Sequence, residues 1–153
     1  MMRQFAAYSN AHPENLSIMT LISLLYHGFL RISEALALTG KDIQVIPTRI
    51  EITINLSKTN QYGEHEVVYV CNGDQTYHPR IWLAKFKEKN NILGTDNKLF
   101  LWSQSNARII LAQFFDKNKI DPTKYSTHSF RKGAANAAAL AKISDSKIKT
   151  MGR

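Results

Sequence analysis

The hydrophobic period of this chain changes twice. Ile43, Val45, Ile50, Ile52, Ile54 and Leu56 alternate with polar neighbours, as do Val68 and Val70, and a period of two belongs to half-buried strands. Pro47-Thr48 separates the first two runs and the polar loop 57–63 the next pair, so a small antiparallel meander is expected. On either side the apolar spacing is three and four. Ile18, Leu21, Ile22, Leu25 and Phe29 share one helical face, behind a cap at Asn15 or Ser17. Residues 32–38 read as a short second helix ended by Thr39-Gly40, with the glycine just past the last turn. Helices are further expected over 79–89, over 106–118, from His128 through the alanine-rich stretch 134–141, and from a cap at Ser144 or Asp145 to Arg153. His12-Pro13 marks a break, and residues 1–15 are expected to be irregular or a linker remnant. The fold class that follows is α+β: a mostly helical bundle with one three-stranded antiparallel sheet, in a single domain over 1–153.

Charge narrows the partners. Twenty Lys and Arg against twelve Asp and Glu leave a formal charge of +8, which favours a polyanion. One cysteine, Cys71, cannot close an internal disulfide and excludes cysteine-rich zinc modules. The most apolar stretch, 16–30, is cut by Ser17, Thr20, Ser23, His27 and Gly28 and is shorter than the ~20 residues of a bilayer span. The first residues lack the apolar run of a signal peptide. The reading is a basic domain of the cytosol or nucleus, not a secreted or membrane protein. It has no metal-ligand cluster and needs no cofactor.

Three places put a cation where folding alone does not ask for one. Arg31 lies between an apolar helix and a second helix, three residues before Glu34; a helix-capping arginine paired with Glu34 is the plain structural reading. Lys58 lies in the hairpin loop, where a lysine is ordinarily just solvated. His128 and Arg131 open a helix three residues apart and so share a face, close to the free N–H groups of a helix start, which favour anions.

Together these segments resemble the tyrosine recombinases, the phage-integrase class of DNA strand transferases. Leu24-Leu25-Tyr26-His27-Gly28-Phe29-Leu30-Arg31-Ile32-Ser33-Glu34-Ala35-Leu36-Ala37-Leu38 resembles the family's first arginine motif, and Ser57-Lys58-Thr59-Asn60-Gln61 its hairpin lysine. Thr127-His128-Ser129-Phe130-Arg131-Lys132-Gly133-Ala134-Ala135 resembles its His-x-x-Arg motif, and the segment 143–153 is similar to the approach to its last two catalytic positions. The flavour is closest to crypton and DIRS-like recombinases of eukaryotic mobile elements. The resemblance implies a DNA-binding catalytic domain acting in recombination and integration through a phosphotyrosine intermediate. Arg31 and Arg131 would hold the non-bridging phosphate oxygens with their guanidinium forks. Lys58 would protonate the leaving 5′ oxygen, His128 would serve as hydrogen-bond donor or acid/base partner, and Glu34 would orient an arginine. The partner implied is double-stranded DNA, with self-assembly on DNA in the complete protein and a nuclear setting in a eukaryote, cytoplasmic otherwise.

The sequence departs from the pattern at one point. After Met151-Gly152-Arg153 the family continues with a histidine or tryptophan and then the nucleophilic tyrosine, and none of Tyr8, Tyr26, Tyr62, Tyr69, Tyr77 and Tyr125 stands in that position. The expectation is a catalytic domain truncated at its carboxyl end, and its alternative is a non-enzymatic DNA-binding remnant of a mobile-element recombinase. A generic RNA- or ribosome-binding protein would use Lys85, Lys87, Lys89, Lys117, Lys119 and Lys124 as a solvated face, but Arg31 and Arg131 sit in apolar or alanine-rich surroundings instead. Trp82 and Trp102 read as core residues, and Tyr125 as a packing or loop residue.

Overall fold

In a computed structural model, which describes residues 1–55 and 65–153, one helix is enclosed nearly all round. This helix, α2 (Leu16–His27), buries Leu16 and every residue from Ile18 to Leu25, including Thr20 and Ser23. Those two hydroxyls are satisfied within the helix, Thr20 donating to the Leu16 carbonyl and Ser23 to that of Thr20, so the polar interruptions seen in the sequence cost little. Helix α1 (Met2–Ala11) precedes it, and α3 (Ile32–Ala37), α4 (Pro79–Asn90), α5 (Gln104–Lys117), α6 (Thr127–Leu140) and α7 (Asp145–Gly152) follow. The sheet is the expected meander, β1 (Ile43–Val45), β2 (Arg49–Ile54) and β3 (Glu66–Cys71) in that order, antiparallel throughout. Ile50, Ile52 and Ile54 face inward from β2, as their alternation requires. The fold class read from the sequence is the one observed.

Residues 1–15 are a correction. They are not irregular: Met2–Ala11 is a helix and Pro13–Asn15 a 3₁₀ turn. Phe5 is fully buried, with its ring centroid 5.1 Å from Phe114 and 5.7 Å from Phe115. Gln4 donates from Nε2 to the Asn118 carbonyl at 2.6 Å. Too few apolar residues line α1 for a periodic signal, and its stability comes from α5.

Gly40 also plays a different part from the helix-ending glycine expected. Helix α3 closes at Leu38 in extended conformation, and Gly40 opens a 3₁₀ turn, Gly40–Asp42. A Cβ on Gly40 would stand 1.9 Å from the Ile92 carbonyl oxygen. Close approach therefore demands the glycine, and the segment 92–97 bonds to this turn through Gly94 N–H to the Gly40 carbonyl and Lys41 N–H to the Thr95 carbonyl.

Two hydrophobic clusters result. The larger joins α1 to α5 with the sheet and includes Trp82 and Phe100, with Trp102 packed against it. The smaller joins the end of α2 to α6 and α7, with Phe29 buried against Ala134 and Ala138 and flanked by Ile143 and Ile148. Phe29 holds a left-handed backbone, φ 52°, a costly conformation for a bulky side chain. It reverses the chain after Gly28 and wedges the ring between helices. Tyr125 is an exposed loop residue just before α6, with its ring centroid 6.1 Å from Phe115.

At the last turn of α2, His27 lies among rings, 5.5 Å from Tyr77 and 5.0 Å from His78, and donates from Nδ1 to the Ser23 carbonyl at 3.1 Å. Burial first, and His78 beside it, pull the imidazole from its ordinary 6.5 to about 4, against the Ser23 bond, which raises it. As pH falls the unfolded chain takes up this proton before the folded one does. The contribution is complete above about pH 6.5 and is lost toward pH 4, by up to about 3 kcal/mol. Urea unfolding is expected to show the folded state weakening through this window, and more steeply than in a His27→Phe variant. Parallel curves for the two would contradict the assignment.

Candidate phosphate site

The chain leaves α2 through Gly28, turns at Phe29, buries Leu30 and presents Arg31 in extended conformation at the head of α3. Glu34, one turn into α3, reaches back. Its Oε2 accepts the Arg31 backbone N–H at 2.7 Å, and its Oε1 accepts Arg31 Nη1 at 2.8 Å. The Glu34 carboxylate is 1% exposed, the Arg31 side chain 21%. The helix-capping reading of Arg31 is thus correct as local structure, yet the contact does not exhaust the guanidinium. Arg31 Nη2 donates to the Arg153 carbonyl at 2.9 Å, and Arg131 Nη2 donates to the carbonyl of Gly152. Two arginines far apart in sequence therefore end on consecutive carbonyls, that of the last residue of α7 and that of its C-cap.

The electrostatics agree with that convergence. The Arg131 guanidinium is drawn below its ordinary value by burial first and by the Arg31 charge next, with Glu34 raising it and Arg153 lowering it. Its Nη1 is buried without a hydrogen-bond partner among the described residues. Such a cluster of donors, held before any ligand arrives, is suited to an oxyanion with several acceptor oxygens.

The remaining expected residues divide. His128 stands in the first turn of α6, three residues before Arg131, and is exposed. Lys58 lies outside the described residues. Two residues escaped the sequence reading. Arg153 donates from Nη2 to Glu34 Oε2 at 2.6 Å, and its Nε stands 3.3 Å from Glu66 Oε2 of β3. Only the fold-back of α7 onto the α2–α3 junction joins these groups, and no local signal marks it. A cavity of about 250 Å³ opens beside them, lined by His27, Phe29, Glu66, Tyr69, Met151 and Arg153. Among the described residues no cluster of His, Cys, Asp and Glu could hold a metal, and no helix is long and apolar enough to cross a membrane.

Glu34 is the group whose loss the site should tolerate least. Glu34→Leu strips the shared carboxylate from two arginines, one of them 5% exposed. Breaking a buried pair from one side typically costs about 3–5 kcal/mol, and a loss of that order is expected in urea unfolding. Glu34→Gln, which keeps the acceptor oxygen, should lose less. Equal stability of the Leu variant and the unchanged chain would show the pairing to be dispensable.

No family model matches the sequence, and no curated protein matches it. Among solved structures, the chain is similar to the Tn1549 transposon integrase (aa 82-397) in complex with circular intermediate DNA, with a TM-score of 0.62 at 18% identity. The match covers 97% of this chain and 53% of that one, so this chain spans about half the length of the integrase structure. At that identity the likeness is one of fold. The seven helices and three-stranded sheet of the described residues share their architecture with a transposon integrase.

Proposed function

We propose that this chain is the phosphodiester-binding part of a tyrosine-recombinase-type DNA strand transferase, of the kind carried by mobile elements. The meeting of Arg31, paired with Glu34, and Arg131 on the neighbouring carbonyls of Arg153 and Gly152 carries the reading. The integrase likeness in fold supports it, as does the integrase's own complex with DNA. In this reading Arg31 and Arg131 hold the two non-bridging oxygens of a duplex phosphodiester and stay charged at any working pH. When a tyrosine attacks the phosphorus, charge builds on those oxygens, where fixed cations act most strongly. The bond to the 5′ oxygen breaks, Lys58 supplies the proton that oxygen needs, and His128 acts as acid/base partner to the phosphate or nucleophile. Glu34 orients Arg31. None of the six tyrosines of residues 1–153 stands at the nucleophile position of the motif, and the segment ending in Met151-Gly152-Arg153 fits the crypton and DIRS-like subgroup.

Fluorescence anisotropy with a short duplex tests the binding half. The chain should bind with little sequence preference, and log Kd should follow log salt with a slope of about 0.9 per phosphate held. Arg31→Ala and Arg131→Ala should each weaken binding and flatten the slope. Binding insensitive to salt would overturn the reading. The chemical half is tested with a nicked suicide duplex and an SDS gel. Residues 1–153 alone should give no covalent adduct, whereas a chain extended through a downstream tyrosine should give one. In that extended chain, loss of either arginine should slow the adduct on the order of 10²–10³-fold. An adduct from the 153 residues themselves would place the nucleophile among the existing tyrosines.

A further inference from the structure

Arg153 is more enclosed than the arginine it serves. Its side chain is 5% exposed against 21% for Arg31. Its Nη2 takes Glu34 Oε2, its Nε faces Glu66 Oε2 at 3.3 Å, and its own carbonyl receives Arg31 Nη2. Arg31 and Arg153 thus hold each other through one carboxylate and one carbonyl. Arg153 Nε has the Glu66 ion pair, yet Arg153 Nη1 is buried with no hydrogen-bond partner among the described residues, and so is Arg131 Nη1. A guanidinium buried with idle N–H groups is unfavourable unless something accepts them. Here Arg131 of α6 and Arg153, just past α7, leave such groups in one cluster.

We propose that Arg153 is a third phosphate-binding arginine of this site, which holds Glu34 against Arg31 with one nitrogen and offers Nη1 to an oxygen of the phosphodiester. This rests on the phosphodiester reading above and adds to it a residue outside the motif positions that the resemblance supplied. The role also explains why an arginine and not a lysine stands here. Pairing with Glu34, facing Glu66 and reaching a phosphate together need a planar group with several directed donors.

The test is a salt titration of duplex binding by the 153-residue chain and its variants. Arg153→Gln should flatten the log–log slope by about 0.9, the share of one phosphate contact, while its urea unfolding transition persists. Arg131→Ala should flatten it on its own account. A folded Arg153→Gln chain that keeps the full slope, beside an Arg131→Ala chain that loses part of it, overturns the inference and leaves the phosphodiester reading standing. Should Arg153→Gln not fold, the arginine Nε–Hε resonances of the unchanged chain decide. Movement of both the Arg131 and Arg153 signals on adding duplex supports the proposal, and movement of Arg131 alone overturns it. No binding by the unchanged chain, and no movement of either signal, sinks the phosphodiester reading and this inference with it.

Discussion

One carboxylate organises the cationic end of this molecule. Without Glu34, three guanidinium groups would face one another in a partly desolvated space, where like charges repel far more strongly than in water. With it, Arg31 is fixed at both its backbone and its side chain, and Arg153 is drawn against the same oxygen. Glu66 adds a second acid from the sheet. Arg131 Nη1 and Arg153 Nη1 nevertheless keep no hydrogen-bond partner among the described residues.

The apolar framework behind the cluster explains how α6 and α7 come to the end of α2. Helix α2 is wrapped on all sides and behaves as a fixed post, and Phe29 extends that post beyond the last helical turn. Because its backbone is left-handed, the ring enters the small cluster at Ala134 and Ala138 while the chain continues toward Arg31. The alanines of α6 matter for what they lack: small side chains let the phenyl ring lie close to the helix and bring Arg131 within the field of Arg31. Packing and charge placement are here the same event.

What was legible beforehand follows from how local each signal is. The sheet was readable because Ile50, Ile52 and Ile54 alternate within a few residues, and α2 because its apolar spacing is long and strong. The Arg31–Glu34 pair is readable from its three-residue spacing, whereas the approach of Arg131 is readable only through motif resemblance; nothing in its own neighbourhood says that it meets them. Helix α1 was missed because its partner ring, Phe114, is more than a hundred residues away, while its own sequence offers little beyond Phe5 and Ala6. Gly40 was read as a helix stop, although the requirement on it comes from the Ile92 carbonyl in a distant connector. Arg153 had no local meaning at all. In each miss the deciding contact is long-range, and a window along the chain does not contain it.

Helix α7 has no fully buried residue, in contrast to α2. Segments with few buried apolar contacts open at low free energy, well before the global transition. Backbone amides of α7 therefore exchange with solvent deuterium ahead of those in α2, and each such opening carries away the Gly152 and Arg153 carbonyls that hold Arg131 and Arg31. Opening of α7 alone would thus loosen the cationic cluster and leave the sheet and the central post packed.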